Sequence, residues 1–357
     1  MLVCMNLYVR TMSNQKKILV ELSGGLDSSV ATILLQNQGY EVVGCMMHLH
    51  DSTIFDTDKK TAESVAQQLR IDFHVVDFRE KFKEEVIDYF INTYKDAKTP
   101  NPCIVCNQKM KFGLVFELAK KLNCDHIATG HYACVKHENG VYSLYKAKDL
   151  TKDQSYVLHF LDQDKLSRII FPLGDYTKDE VRALARASAL PCVDKPESQD
   201  ICFVSDETYA DFIQKNSDYV PTPGNVVDTK GNLLGQHEGL INYTIGQRKG
   251  LGIAGGDPLY VLSLNKDSNE VVLGTKEETF AKEVCVSNFS WISGNAPANK
   301  FECQAKLRYR QTPKDCIAKV DGDSVILEYP EGIDSVTPGQ FAVLYVGDRV
   351  LGGGIIN

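Results

Sequence analysis

Residues 16–22, KKILVEL, hold a short apolar run that suits a buried strand. SGGLDSS follows at once, and VATILLQNQGY then repeats its apolar residues at helical spacing as far as Gly39. A strand that passes through a glycine- and serine-rich turn straight into a helix constrains the fold more than any other feature of the chain. It opens a β–α–β unit, and it sets backbone N–H groups and hydroxyls at a helix N-terminus, where an anion binds. Helix capping by Ser23 or Asp27 would account for part of this turn. Two glycines, three serines and an acid in seven residues exceed what a cap needs. The pattern GxxxxGK[ST] is absent, so a P-loop that transfers a γ-phosphate is not indicated.

The alternation continues. EVVGCMM (41–47), FHVVDF (73–78) and DHIATGHY (125–132) read as strands. TAESVAQQLR, EKFKEEVIDYFINTY and KMKFGLVFELAKKLN between them read as helices. The expected fold class is α/β, a parallel sheet covered on both faces, with ligands beyond the carboxyl ends of its strands. SGGLDSS, the end of EVVGCMM and TGHY all fall there. After about residue 205 the chain changes to short strands joined by Gly, Asp and Asn turns. The expected organisation is a leader at 1–15, an α/β catalytic domain at 16–205, a small central β-rich domain at 206–280 and a C-terminal β-barrel at 281–357.

Composition narrows the function classes. Hydrophobic residues at 43% and charged residues at 24% are globular values. No apolar run approaches the roughly 20 residues that span a bilayer. The leader is broken by Asn6, Arg10 and Ser13, unlike a signal peptide, and Met5 and Met12 are alternative starts. Eleven scattered cysteines, an odd number, point to reduced thiols and a cytoplasmic protein. A net charge of −8 excludes a uniformly basic nucleic-acid binder and leaves room for a local basic patch.

Two cysteine segments carry chemistry. In Asn101-Pro102-Cys103-Ile104-Val105-Cys106-Asn107 the C-x2-C pair suits half a zinc site, a redox pair, two cluster ligands or two core thiols. No second C-x2-C is present to complete a structural zinc site. The pair precedes a helix, whose dipole is expected to lower a thiol pKa. In Lys195-Pro196-Glu197-Ser198-Gln199-Asp200-Ile201-Cys202-Phe203, Cys202 lies in a polar loop suited to a thiolate nucleophile. Lys306, Arg308 and Arg310 alternate. On a strand they would share one face, with Tyr309 on the other, as a basic stripe for phosphates.

The stretches SGGLDSSV, TPNPCIVCNQKMKF, ATGHYA, KDQSYVL, KPESQDICFV, YTIGQRKGLGIAGG, LRYRQ and PGQFAVLY occur in this order from residue 23 to 345. Together they resemble the tRNA-specific 2-thiouridylases of the MnmA/TrmU family. SGGxDS by itself resembles the loop of the N-type ATP pyrophosphatases (PP-loop, adenine nucleotide alpha-hydrolase-like). The resemblance implies that ATP adenylates O2 of the wobble uridine, U34, in tRNAs for Lys, Glu and Gln. Persulfide sulfur on Cys202 then attacks C2, and Cys106 helps to release it and can form a disulfide with Cys202. A cysteine desulfurase or sulfur-relay protein would supply the sulfur.

By the same resemblance Glu21, Leu22, Ser23, Gly24, Gly25, Leu26, Asp27, Ser28, Met47 and Gly130 bind ATP, with Asp27 a magnesium ligand. Glu21 stands where the family usually has a small residue. Asn101, Pro102 and Cys103 match the residues that hold the target base, and many members have Asp at the third position. His131, Lys152, Asp153, Gln154, Arg308, Tyr309 and Gln340 match tRNA contacts. The alternative is a cluster-dependent tRNA thiolase in which Cys103, Cys106 and Cys202 bind a [4Fe-4S] cluster. Replacing Asp27 by Ala is expected to spare the fold, because it removes no core volume.

Overall fold

The computed structural model describes residues 15–195, 200–204, 207–253, 257–334 and 336–357. Its first sheet is parallel. β1 (Lys17–Glu21) runs into α1 (Leu26–Asn37), then β2 (Glu41–His48), α2 (Phe55–Leu69) and β3 (Asp72–Asp77). α3 (Arg79–Phe82) and α4 (Asp88–Lys95) flank a π-helical turn, Lys83–Ile87. α5 (Pro102–Cys106) passes through a second π-helical segment, Asn107–Leu114, into α6 (Val115–Lys121), and β4 (His126–Ala128) follows. The predicted helix from Lys109 thus begins seven residues earlier, at Pro102. Proline suits a first helical position, and the Asn101 side chain accepts the Ile104 N–H at 3.3 Å. The C-x2-C pair therefore lies inside the helix instead of ahead of it.

β5 (Cys134–Glu138) and β6 (Val141–Tyr145) form a hairpin that the sequence pattern did not reveal. α7 (Gln163–Leu166), β7 (Ile169–Ile170), α8 (Lys178–Ala187) and α9 (Tyr209–Lys215) complete this half. The strand order is β3-β2-β1-β4-β7. β1 is central, and its Ile18, Leu19 and Val20 are fully buried, as a strand covered on both faces requires.

The second sheet has β8 (Gly224–Asp228), β9 (Leu233–His237), β10 (Tyr260–Asn265) and β11 (Glu270–Gly274) in the order β10-β11-β8-β9. The third comprises β12 (Phe280–Trp291), β13 (Lys300–Lys306), β14 (Lys314–Asp321), β15 (Ser324–Asp334), β16 (Phe341–Val346) and β17 (Arg349–Ile356). β12 pairs with both β15 and β17, which closes an antiparallel six-stranded barrel. The β5–β6 hairpin adds to its β17 edge. Phe341, Val343, Tyr345 and Val350 of the barrel share one core with Phe112, Tyr156 and Phe160 of the first half. No helix among the described residues is long and apolar enough to cross a membrane.

Candidate functional site

The turn after β1 is built to leave its backbone open. Gly24 has φ +74, and a Cβ there would lie 2.3 Å from the Asp58 carbonyl oxygen. Gly130, at the exit of β4, comes so close that a Cβ would lie 2.8 Å from the Ser28 nitrogen. Both positions need glycine for close approach. The Ser23 N–H donates to Ser28 Oγ at 3.2 Å, and Ser28 Oγ donates to the Gly25 carbonyl at 3.2 Å. Gly25 caps α1 with no side-chain bond of its own, so the turn remains an N-terminal anion nest. Leu22 and Leu26 pack in the core, so what they offer a nucleotide is backbone. Met47 is buried at the end of β2.

Asp27 is already engaged. Lys178 Nζ donates to its carboxylate at 2.7 and 2.9 Å, and Tyr132 OH at 2.8 Å. Its side chain is still 33% exposed. Magnesium in nucleotide sites needs only one or two carboxylates besides phosphate oxygens, so a single accessible Asp fits that ion. Lys195 braces the turn from the other side, donating to the Gly24 carbonyl at 3.1 Å and to Asp58 at 2.6 Å. Pro196, Glu197, Ser198 and Gln199 lie outside the described residues.

The thiols gather around a lysine. Lys111 pairs with the buried Glu21 at 3.4 Å, and its charge acts on Cys103, Cys106, Cys202 and His131. Burial pushes the Cys106 thiol far up and Lys111 pulls it back. Cys103 and Cys202 open to solvent, yet the protein atoms crowded around them still raise both thiols, Cys202 to about 11. The direction is opposite to the lowering expected at a helix N-terminus, because lost hydration disfavours the thiolate. The described cysteines are free. Among the described residues no three His, Cys, Asp or Glu side chains converge closely enough to hold a metal ion. Cys103, Cys106 and Cys202 as placed form no such group, which does not favour a [4Fe-4S] cluster on them.

The residues matched to tRNA contacts divide. His131 is buried, bonded to Thr129 Oγ1 at 2.7 Å, and burial holds its pKa well below the ordinary value. Asp153 is buried and accepts the Ala147 and Ser155 N–H groups. Gln154 accepts the Tyr132 N–H at 2.9 Å. Lys152 is half-buried in the same loop. Gln340 donates to the carbonyls of Thr99 at 3.1 Å and Pro100 at 2.8 Å, which braces the loop before Asn101 and Pro102 from the barrel side.

The basic stripe is corrected. β13 ends at Lys306, so Arg308, Tyr309 and Arg310 occupy a turn and do not alternate on a strand. Lys306 lies over the rings of Tyr156 and Tyr309, on the same side as Tyr309. Arg308 donates to the Ile245 carbonyl at 3.0 Å and to Thr337. Arg310 is exposed.

Lys111, Lys178, Tyr132 and Asp58 were not singled out from the sequence. Lys178 is 151 residues from Asp27, and no local pattern links them. Lys111 stands inside the KMKF stretch, but only the winding of the helix brings it back to Cys106.

The chain thus joins a parallel-sheet domain that carries a glycine-rich turn at a helix N-terminus to two β modules. Family models match each part: a tRNA methyl transferase HUP domain at 16–206, a tRNA methyl transferase PRC-barrel domain at 210–275 and an aminomethyltransferase beta-barrel domain at 281–356. The tRNA-specific 2-thiouridylase MnmA of Clostridioides difficile (strain 630) is 43% identical over 354 residues, with 96% of this chain and 98% of that protein covered. Its counterpart in Carboxydothermus hydrogenoformans is 44% identical over 357 residues, with the same coverage of 96% and 98%. The chain belongs to the tRNA-specific 2-thiouridylase family.

Proposed function

We propose that this protein is a tRNA uridine 2-sulfurtransferase that activates the wobble uridine, U34, with ATP and replaces its O2 with sulfur carried on Cys202. The observation that carries the reading is the meeting of two chemistries at the carboxyl end of the central strand. The anion-binding turn is bonded to Lys195, and Glu21 at the end of β1 pairs with Lys111, whose charge acts on the Cys106 and Cys202 thiols.

The turn at Ser23–Ser28 would receive the phosphates of ATP. Uridine O2 attacks the α-phosphorus and pyrophosphate leaves, so a poor leaving group becomes AMP. Asp27 would hold magnesium, which would supply charge neutralisation of the phosphates. The terminal sulfur of a Cys202 persulfide attacks C2 and AMP departs. The Cys106 thiolate then attacks Cys202 Sγ. The S–S bond breaks with its electron pair going to the sulfur on C2, which leaves 2-thiouridine and a Cys106–Cys202 disulfide. Two electrons from a thiol reductant reset the pair. Asn101, Pro102 and Cys103 would hold the base after it leaves its stack.

The substrates are the tRNAs for Lys, Glu and Gln, and the sulfur comes from a cysteine desulfurase or a relay protein that it loads. Purified variants test the division of labour. Cys202→Ser should release pyrophosphate in the presence of tRNA and form no 2-thiouridine. Cys106→Ser should accept a persulfide on Cys202, seen as one added sulfur by mass spectrometry, and still fail to thiolate. Thiolation by Cys202→Ser would overturn the assignment of the sulfur carrier.

A further inference from the structure

Cys106 closes α5, and the next eight residues, Asn107–Leu114, wind as a π-helix. In an α-helix, residues five apart point roughly 140° away from one another. The i→i+5 bonding of a π-helix brings them onto the same face. Lys111 is five residues after Cys106, so the π winding puts the two on one face, and the lysine's charge acts on the thiol. Its ammonium meets Glu21 at 3.4 Å. The titratable groups facing it are Glu21 from β1, Cys103 and Cys106 from α5, Cys202 from the loop before α9 and His131 from the exit of β4. Glu21 is the one carboxylate in that set, and it is buried.

We propose that Lys111 is the positioning residue of the thiol step, and that Glu21 sets how much of its charge the thiols feel. The proposal rests on the reading of Cys106 and Cys202 as the working thiols. A thiol removed from water ionises only when a nearby cation replaces the lost hydration. When Cys106 gives its proton to solvent, the thiolate is left opposite Lys111, and no oxidant is needed. Glu21 competes for the same ammonium, so it holds the thiols in their protonated, unreactive form. Because Glu21 ends the strand that leads into the phosphate turn, the charge felt by the thiols is tied to the strand that positions ATP.

Alkylation of Cys106 by iodoacetamide, followed against pH by mass spectrometry on the full-length protein without ligands, tests this. The variants are Lys111→Met, Lys111→Arg and Glu21→Gln. Lys111→Met should move the midpoint of the alkylation profile upward. At a fixed mildly alkaline pH it should slow alkylation about tenfold, in step with the smaller fraction of thiolate. Lys111→Arg should restore the wild-type profile. Glu21→Gln should move the midpoint downward and speed alkylation. Loosened packing would push both neutralised variants in the same direction, so opposite signs identify electrostatics. Where Lys111→Met does not fold, Lys111→Gln takes its place. An unchanged midpoint on loss of the lysine, or midpoints that move in the same direction in the two variants, would overturn the proposal. Thiolation of tRNA is scored separately. A wild-type protein that makes no 2-thiouridine while its alkylation follows the expected order defeats the functional reading and supports the electrostatic one.

Discussion

Asp27 shows how one side chain acquires two duties. Its carboxylate faces the phosphate turn and also takes two bonds from Lys178, whose side chain is almost wholly buried. Asp27→Ala is therefore expected to cost stability, where residue volume alone suggested that it would spare the fold. It should lower stability by about 1–3 kcal/mol, discounted because Asp27 is part-exposed, read from urea midpoints. Asp27→Asn should recover most of that loss. Both variants should lose tRNA-dependent pyrophosphate release, and normal release from either would remove Asp27 from the ATP site. Gly24→Ala is the steric counterpart. With φ +74 and the Asp58 carbonyl 2.3 Å from the new Cβ, it should abolish ATP binding measured by calorimetry. The turn was legible in the sequence because an anion nest is a local arrangement of glycines and hydroxyls. Lys178 and Tyr132 were not, because they reach Asp27 across 151 and 105 residues.

At the scale of elements, the pattern of apolar residues revealed the parallel sheet and the later strands, since burial on two faces gives a continuous apolar run and burial on one face gives every second residue. It missed the β5–β6 hairpin, whose residues are mostly half-exposed and whose partner, β17, lies some 200 residues further on. It also carried β13 too far. The spacing of Lys306, Arg308 and Arg310 suits a strand, but the chain turns after Lys306. Arg308 then ties the turn to Ile245 of the central module and to Thr337. Arg308→Ala should consequently lower the melting temperature as well as tRNA affinity, whereas Arg310→Ala should lower affinity and its salt dependence alone. Equal melting temperatures in the two variants would place Arg308 on the RNA side only. Gln340→Ala removes two bonds to the loop before Asn101, each worth about 1 kcal/mol. It should slow thiolation while the salt slope of tRNA binding stays at the wild-type value.

Across the whole molecule, the barrel and the catalytic half share a core, and His159 marks the seam. It is buried, its ring lies 5.3 Å from Phe341, and a Cβ at Gly353 would come within 2.6 Å of it. Burial pushes its pKa down to about 4 from 6.5. The folded protein refuses a proton that the unfolded chain accepts, so this contribution is complete above about pH 6.5 and is lost as pH falls toward 4. The span corresponds to about 3 kcal/mol. Urea unfolding should lose stability over that window more steeply in the wild type than in His159→Gln, and parallel curves would remove His159 from the effect. The joining of modules matters because the loop proposed to hold the base is braced from the barrel by Gln340. The most direct test of the whole assembly is nucleoside mass spectrometry on tRNA for Lys, Glu or Gln, incubated with the purified protein, a persulfide donor, magnesium and ATP. The expected result is 2-thiouridine at the wobble position, formed only when ATP is present and absent with Cys202→Ser. Wobble uridine left unmodified in the complete reaction, or thiolated without ATP, would contradict the account.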